Sequence, residues 1–135
     1  MSGATRHERT LPPLTRTDIV RYAGASGDFN PIHHDEEYAV RLGLPSVFAM
    51  GMLVGGSLGS FLADRYGADN IASYQIRFRG QVWPGDEVTL TAEPVPDGAP
   101  GELDVAATVG DRVVVSGRAT LRVSAARQPS EEGTG

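Results

Sequence analysis

Residues 47–63, VFAMGMLVGGSLGSFLA, contain no charged side chain and place glycine at positions 51, 55 and 59. That run constrains the fold more than any other part of the chain. It falls short of the ~20 residues needed to span a bilayer and runs into the polar DRYGAD, so it reads as the body of a helix over residues 49–66. Its polar residues are small, which predicts a helix that is apolar almost all round and therefore buried. Glycine at every fourth position leaves one helix face nearly bare, open to close approach by a sheet, a partner helix or a ligand. The 135 residues suit one domain, long enough to bury a real core.

After Gly67 the pattern becomes alternation. Tyr74, Ile76 and Phe78 point one way while Gln75, Arg77 and Arg79 point the other. A turn at Pro84-Gly85 follows. Val88, Leu90 and Ala92 share the next apolar face, and then Leu103, Val105, Ala107 and Val109. Gly110-Asp111 is a hairpin signal leading into Val113, Val115, Gly117, Ala119, Leu121 and Val123. Strands with one apolar face, joined by short turns, make an antiparallel sheet covered on one side. The covering element is the long helix, which predicts an α+β layer with the sheet wrapped around it.

The first part of the chain is helical. Thr15 is an N-cap with Asp18 three residues on, followed by Ile19, Val20 and Ala23 as an apolar face. Asp35 caps a second short helix that Gly43 closes. Residues 1–9 are polar and read as a flexible lead-in. Residues 127–135 have no apolar anchor and read as disordered, leaving a single domain over 10–126.

The net charge of −5 argues against a nucleic-acid binder. The lack of cysteine removes disulfides, thiol nucleophiles and thiolate metal sites. The opening residues have no secretory apolar core. These features give the expectation of a soluble cytoplasmic protein with no membrane span.

The polar stretch SGDFNPIHHD at 26–35 concentrates the titratable chemistry. Pro31 fixes its own φ and pushes Asn30 towards an extended conformation, and Gly24 and Gly27 let the chain turn beforehand. Asp28 and His33 flank this bend and can face one cleft, where a carboxylate and an imidazole can hold a water and move protons near neutral pH. The alternative is a loop in which Asp28 and Asn30 satisfy backbone N–H groups and His33 is solvated. His33, His34 and Asp35 have metal-ligand chemistry, but adjacent side chains rarely converge on one ion, so no metal is expected. GGSLG at 55–59 matches G-x-S-x-G, but a nucleophile elbow needs a strand and a sharp turn; inside a helix, Ser57 is small-residue packing.

With Tyr22 upstream and Ala39 downstream, Gly27, Asp28, Asn30, Pro31, Ile32 and His33 resemble the hydratase 2 motif of the MaoC-like (R)-specific enoyl-thioester hydratases and dehydratases. FAMGMLVGG looks like the start of that family's central helix, and YQIRFRGQVWPGDEV is similar to the segment that follows. The resemblance runs over roughly residues 10–124 and implies a hot-dog fold, a curved antiparallel sheet around one long helix. It implies a homodimer, or a heterodimer with another hot-dog subunit, and acyl thioesters of coenzyme A or acyl carrier protein as substrates, with no metal or redox cofactor.

By the same resemblance Asp28 and His33 are the catalytic pair, Asn30 orients them, and Gly51 offers its backbone N–H to the thioester carbonyl. An N–H at a helix N-terminus suits that task physically. Phe48, Met50 and Met52 belong to the expected acyl pocket. Met50 stands where the family often has histidine. Arg77 and Arg79 are candidates for a carrier phosphate, against the alternative of a solvated strand face. A hot-dog thioesterase and a non-catalytic acyl-binding subunit are the rival readings.

Overall fold

The computed structural model describes residues 5–122; Val123 and the tail at 127–135 lie outside them. Three α-helices, α1 (Arg16–Ser26), α2 (Glu36–Arg41) and α3 (Gly51–Tyr66), are combined with five strands. The strands are β1 (His7–Thr10), β2 (Ile71–Phe78), β3 (Thr89–Pro94), β4 (Glu102–Val109) and β5 (Arg112–Leu121). They form one antiparallel sheet in the order β1-β3-β4-β5-β2. The meander β3-β4-β5 forms its middle, and the two strands preceding the meander in sequence take the edges.

The predicted start signal of α1 is present in full. Thr15 accepts from the Asp18 amide, and the Asp18 carboxylate accepts from the Thr15 amide, both at 3.0 Å. Gly27 ends the helix in the left-handed region at φ 79°, a conformation that glycine adopts without steric cost. Asp35 caps α2 through the Tyr38 amide.

The long helix lies across the inner face of the sheet. Leu58, Phe61 and Leu62 join Leu90, Ala92, Val105, Ala107, Val115 and Ala119 in one buried core. The bare glycine face has a definite occupant, strand β2. A Cβ built on Gly51, Gly55 or Gly59 meets Phe78 at 3.0 Å, Ile76 at 2.6 Å and Tyr74 at 3.4 Å respectively. Each alternate side chain of β2 thus sits over one glycine of α3. The Tyr74 hydroxyl completes the contact by donating to the Gly55 carbonyl at 2.6 Å.

Several expectations need correction. The helix begins at Gly51 rather than residue 49, because the Ala49 amide donates to the Val82 carbonyl at 2.9 Å and holds that segment extended. It is not buried all round: Met52, Gly56 and Ser60 are exposed. Residues 7–9 of the expected flexible lead-in join Thr10 in β1, paired with β3 from His7↔Ala92 to Thr10↔Thr89. Val113 does not join the inner face. The β4–β5 register shifts between Ala107 and Thr108, which turns Val113 outwards and buries Val114, whose carbonyl accepts from the Arg79 and Gly80 amides.

Two glycines separate close packing from open space. A Cβ at Gly117 strikes the Gln75 carbonyl in the neighbouring strand, whereas one at Gly56 meets nothing within 4 Å. Gly117→Ala is expected to lower the unfolding free energy by about 1–3 kcal/mol, and Gly56→Ala to raise it by about 0.5–1 kcal/mol, both read by urea denaturation.

Burial pushes the Tyr74 hydroxyl from 10.0 up to about 12. Between those values the unfolded chain has lost a proton that the folded chain retains, so stability falls as pH rises through that window and levels off above it. Tyr66 is raised by burial as well and adds to the same slope. Thermal melts across the window are expected to show a shallower decline for Tyr74→Phe than for the parent protein.

Candidate active site

The stretch 26–35 folds into a tight loop held by its own side chains. The Ser26 hydroxyl accepts from the Asp28 amide at 3.2 Å, and Asp28 Oδ1 accepts from the Asn30 amide at 3.3 Å. Asn30 Oδ1 then accepts from the Ile32 amide at 3.1 Å, capping the single 3-10 turn Pro31–His33. His34 Nε2 donates to the Phe29 carbonyl at 3.2 Å and closes the loop from its far side. The proline sits at the start of the turn, where its missing N–H costs no hydrogen bond.

This turn delivers His33 inwards. The ring is buried, and Nδ1 lies 2.6 Å from the Phe48 carbonyl. A carbonyl can only accept, so Nδ1 carries the proton and donates. In the neutral ring this leaves the Nε2 lone pair unused, and Nε2 faces Asp28 Oδ2 at 3.7 Å. That separation is too long for a direct hydrogen bond and suits one small polar atom bridging the two groups. Asp28 is close to half exposed, so the pair has one buried member and one that meets solvent.

The segment 47–50 supplies the opposite wall. Glu36 Oε1 accepts from both Arg16 Nη1 at 3.0 Å and the Val47 amide at 3.3 Å, tying α1 and α2 to this segment. The Arg16 and Val47 hydrogen bonds hold the Glu36 carboxyl below the usual carboxylate range, so the tie is ionised at neutral pH. Phe48 packs edge-on against His33 at 5.0 Å and against Trp83 at 5.5 Å between ring centres, which fixes the carbonyl that holds the imidazole.

Next comes the beginning of α3. A helix leaves its first N–H groups without intrahelical partners, and no side chain caps this end. The N-cap residue is Met50, buried and without a hydrogen-bonding side chain, so the first amides of α3 lack a side-chain acceptor, and Gly51 with the positive end of the helix dipole lies at the cavity wall.

One cavity of about 660 Å³ unites these parts, with Asp28, His33, Phe48, Met50, Gly51, Met52 and Arg79 on its wall. Two candidates fall outside it. Asn30 touches neither Asp28 Oδ2 nor the imidazole; its carboxamide shapes the turn instead of orienting the pair directly. Arg77 lies opposite Ser116 on the outer face of the sheet, away from the cavity. Arg79, one residue past the end of β2, borders the cavity, while its Nε donates at 2.7 Å to Ser116 Oγ on the outer face. Ser57 donates to the Leu53 carbonyl inside α3 at 2.9 Å, in keeping with a packing role.

Sequence reasoning missed Tyr22, Val54, Gln81 and Val82 on the cavity wall. Tyr22 had a signal, the aromatic that opens the motif. The others come from a helix flank and an irregular crossing whose contacts no periodicity reports.

One antiparallel sheet of this order packed around one long helix is the hot-dog fold. The chain belongs to the MaoC like domain family, which matches residues 2–115. It is similar to a 3-hydroxybutyryl-CoA dehydratase of Methylorubrum extorquens, 34% identical over 116 residues, covering 82% of this chain and 73% of the relative. An (R)-specific enoyl-CoA hydratase of Rhodospirillum rubrum is 32% identical over 117 residues, covering 83% and 81%. Among solved structures, the R-hydratase PhaJ1 of Pseudomonas aeruginosa superposes with a TM-score of 0.74 at 25% identity, covering 90% of this chain and 81% of that one. No helix among the described residues is long and apolar enough to cross a membrane.

Asn30→Ala, which removes the acceptor that caps the turn, is expected to cost about 1 kcal/mol of stability in urea unfolding. Asn30→Asp keeps an oxygen in that place and is expected to retain most of it.

Proposed function

We propose that this chain is a hydro-lyase interconverting (R)-3-hydroxyacyl and trans-2-enoyl thioesters of coenzyme A or acyl carrier protein. It acts in the cytoplasm as a dimer, with a second copy or with another hot-dog subunit. The observation that carries the reading is the Nδ1-to-Phe48 hydrogen bond, which leaves His33 Nε2 directed at Asp28 across 3.7 Å, inside the cavity that Gly51 helps to line. The names of the two relatives agree with it.

In the hydration direction, a water seated between Asp28 and His33 loses a proton to the pair as its oxygen bonds to C3. The C2–C3 π electrons move towards the thioester, whose oxygen gains charge. The pair then returns one proton to C2, so it ends as it began. Charge on the thioester oxygen is met by the Gly51 amide and the helix dipole, an arrangement in which one lost donor costs about 3 kcal/mol of transition-state stabilisation. Phe48, Met50 and Met52 enclose the acyl group. Arg79, which borders the cavity beyond the end of β2, is the group that meets a phosphate of the carrier.

Dimerisation has a physical motive. Strand β2 is eight residues long and lies at the sheet edge, with hydrogen-bonding groups along one side that a second strand would satisfy.

The test is loss of enoyl absorbance on mixing the purified chain with trans-2-enoyl-CoA, and appearance of the (R)-3-hydroxyacyl product. Asp28→Asn and His33→Ala are each expected to lower kcat/KM at least about a hundredfold while circular dichroism stays unchanged. Parental turnover in both variants would remove the site assignment. Free thiol without hydroxyacyl product would identify a thioesterase, and activity only with an added hot-dog subunit would identify a binding partner.

A further inference from the structure

The cavity around Asp28 and His33 has three sides that matter for an acyl chain. Towards β2 it is blocked, because Phe78, Ile76 and Tyr74 occupy the glycine face of α3. Towards Asp28 and Arg79 it is polar and opens to solvent. On the third side, Tyr22, Val54 and Val82 line both this cavity and a second one of about 410 Å³.

This second cavity runs between α1 and α3 towards the start of β3, against Leu11, Leu14, Ala25, Leu53, Ser57 and Val88. Most of its wall is apolar, with Asp18 and Arg21 of α1 as the charged residues on it. The Ser57 hydroxyl is turned onto the Leu53 carbonyl, and the Asp18 carboxylate is engaged with the Thr15 amide at the helix start. Neither needs a polar ligand.

We infer that the second cavity receives the distal part of the acyl chain, and that the substrate class is the medium-chain 2-enoyl thioester rather than the four-carbon one. The inference rests on the hydratase reading for the position of the thioester at Gly51. From Gly51 to Ser57 the helix advances about 9 Å, the length of roughly seven methylenes, which places the end of a chain of about eight carbons beside Ser57. A chain of four carbons stops short of the second cavity. The continuous wall of Tyr22, Val54 and Val82 is what favours an acyl tail over any other occupant of this groove.

Two readouts on the full chain test this, one of them independent of turnover. Octanoyl-CoA, which is saturated and cannot be hydrated, is expected to bind at least about tenfold tighter than butanoyl-CoA by calorimetry, a conservative figure for four additional buried methylenes. The kcat/KM for trans-2-octenoyl-CoA is expected to exceed that for crotonyl-CoA.

Ser57→Phe fills the second cavity and is expected to abolish both advantages while crotonyl-CoA turnover stays within about twofold. Ala25→Trp fills the same space from α1 and serves if the first variant does not fold. Ser60→Phe, on the outward face of α3, is expected to change neither readout.

Equal binding of the two saturated thioesters overturns the inference, as does a loss in Ser57→Phe that is the same for both lengths. A change in the mass of the particle in solution with the length preference intact shows that a second copy covers the groove, and also overturns it. Length-dependent binding that Ser57→Phe removes, with no hydration at any length, supports the acyl compartment and sinks the hydratase reading instead.

Discussion

The 2.6 Å contact from His33 Nδ1 to the Phe48 carbonyl joins two parts of the chain that have separate structural origins. His33 arrives on a proline-started turn after α1, and Phe48 lies on the extended segment that leads into α3. Without this bond the imidazole would be a buried polar ring with an unsatisfied donor, which costs more than the bond itself contributes. With it, the tautomer is set and the free ring nitrogen faces Asp28. The same contact registers the acid–imidazole pair against the helix start, because Gly51 is only three residues beyond Phe48. Glu36 reinforces that registration by holding Val47 with one oxygen that also holds Arg16.

The helix α3 separates its two tasks by position. Along its length, glycines 51, 55 and 59 accept the side chains of β2, so the bare face is a packing device and not a ligand groove. At its end, the uncapped helix start lies at the cavity wall. Gly51 belongs to both, meeting the Phe78 ring at the Cβ position it lacks and lining the cavity at an uncapped helix start. A side chain there would press on Phe78 and narrow the approach to the amide together. Met50 at the N-cap fits the same logic, since a capping oxygen would compete for the N–H groups that the cavity needs.

Much of this was legible because it is written in local chemistry. Thr15 with Asp18, Asp35 before α2, and the alternation in β3 and β4 are short-range signals that tertiary context did not override. Asp28, Asn30-Pro31 and His33 lie so close in sequence that the bend alone brings the acid and imidazole within reach. What stayed hidden depends on partners far along the chain. The four residues of β1 carry no apolar alternation, and they become a strand because β3 offers an unpaired edge. Residues 49–50 satisfy helical composition, yet the Val82 carbonyl claims the Ala49 amide. The bulge opposite Ala107 exchanges the sides of Val113 and Val114, and a run of three valines gives no sign of it.

Asn30 and Arg77 show how a residue type at the right spacing can still have the wrong address. Asn30 lies between the acid and the imidazole in sequence, which suggests direct contact with both. A side chain that short satisfies the nearest orphan amide first, and in a proline-started turn that amide is Ile32's. Its influence on His33 therefore passes through the backbone. Arg77 and Arg79 share a parity, but the strand ends between them. Arg77 stays with the regular pleat on the outer face, while Arg79, one residue past the strand's end, borders the cavity even though its Nε is held by Ser116 on the outer face. Chemical identity narrows the candidates to a pair; the point where regular backbone stops decides which of the two can meet a ligand.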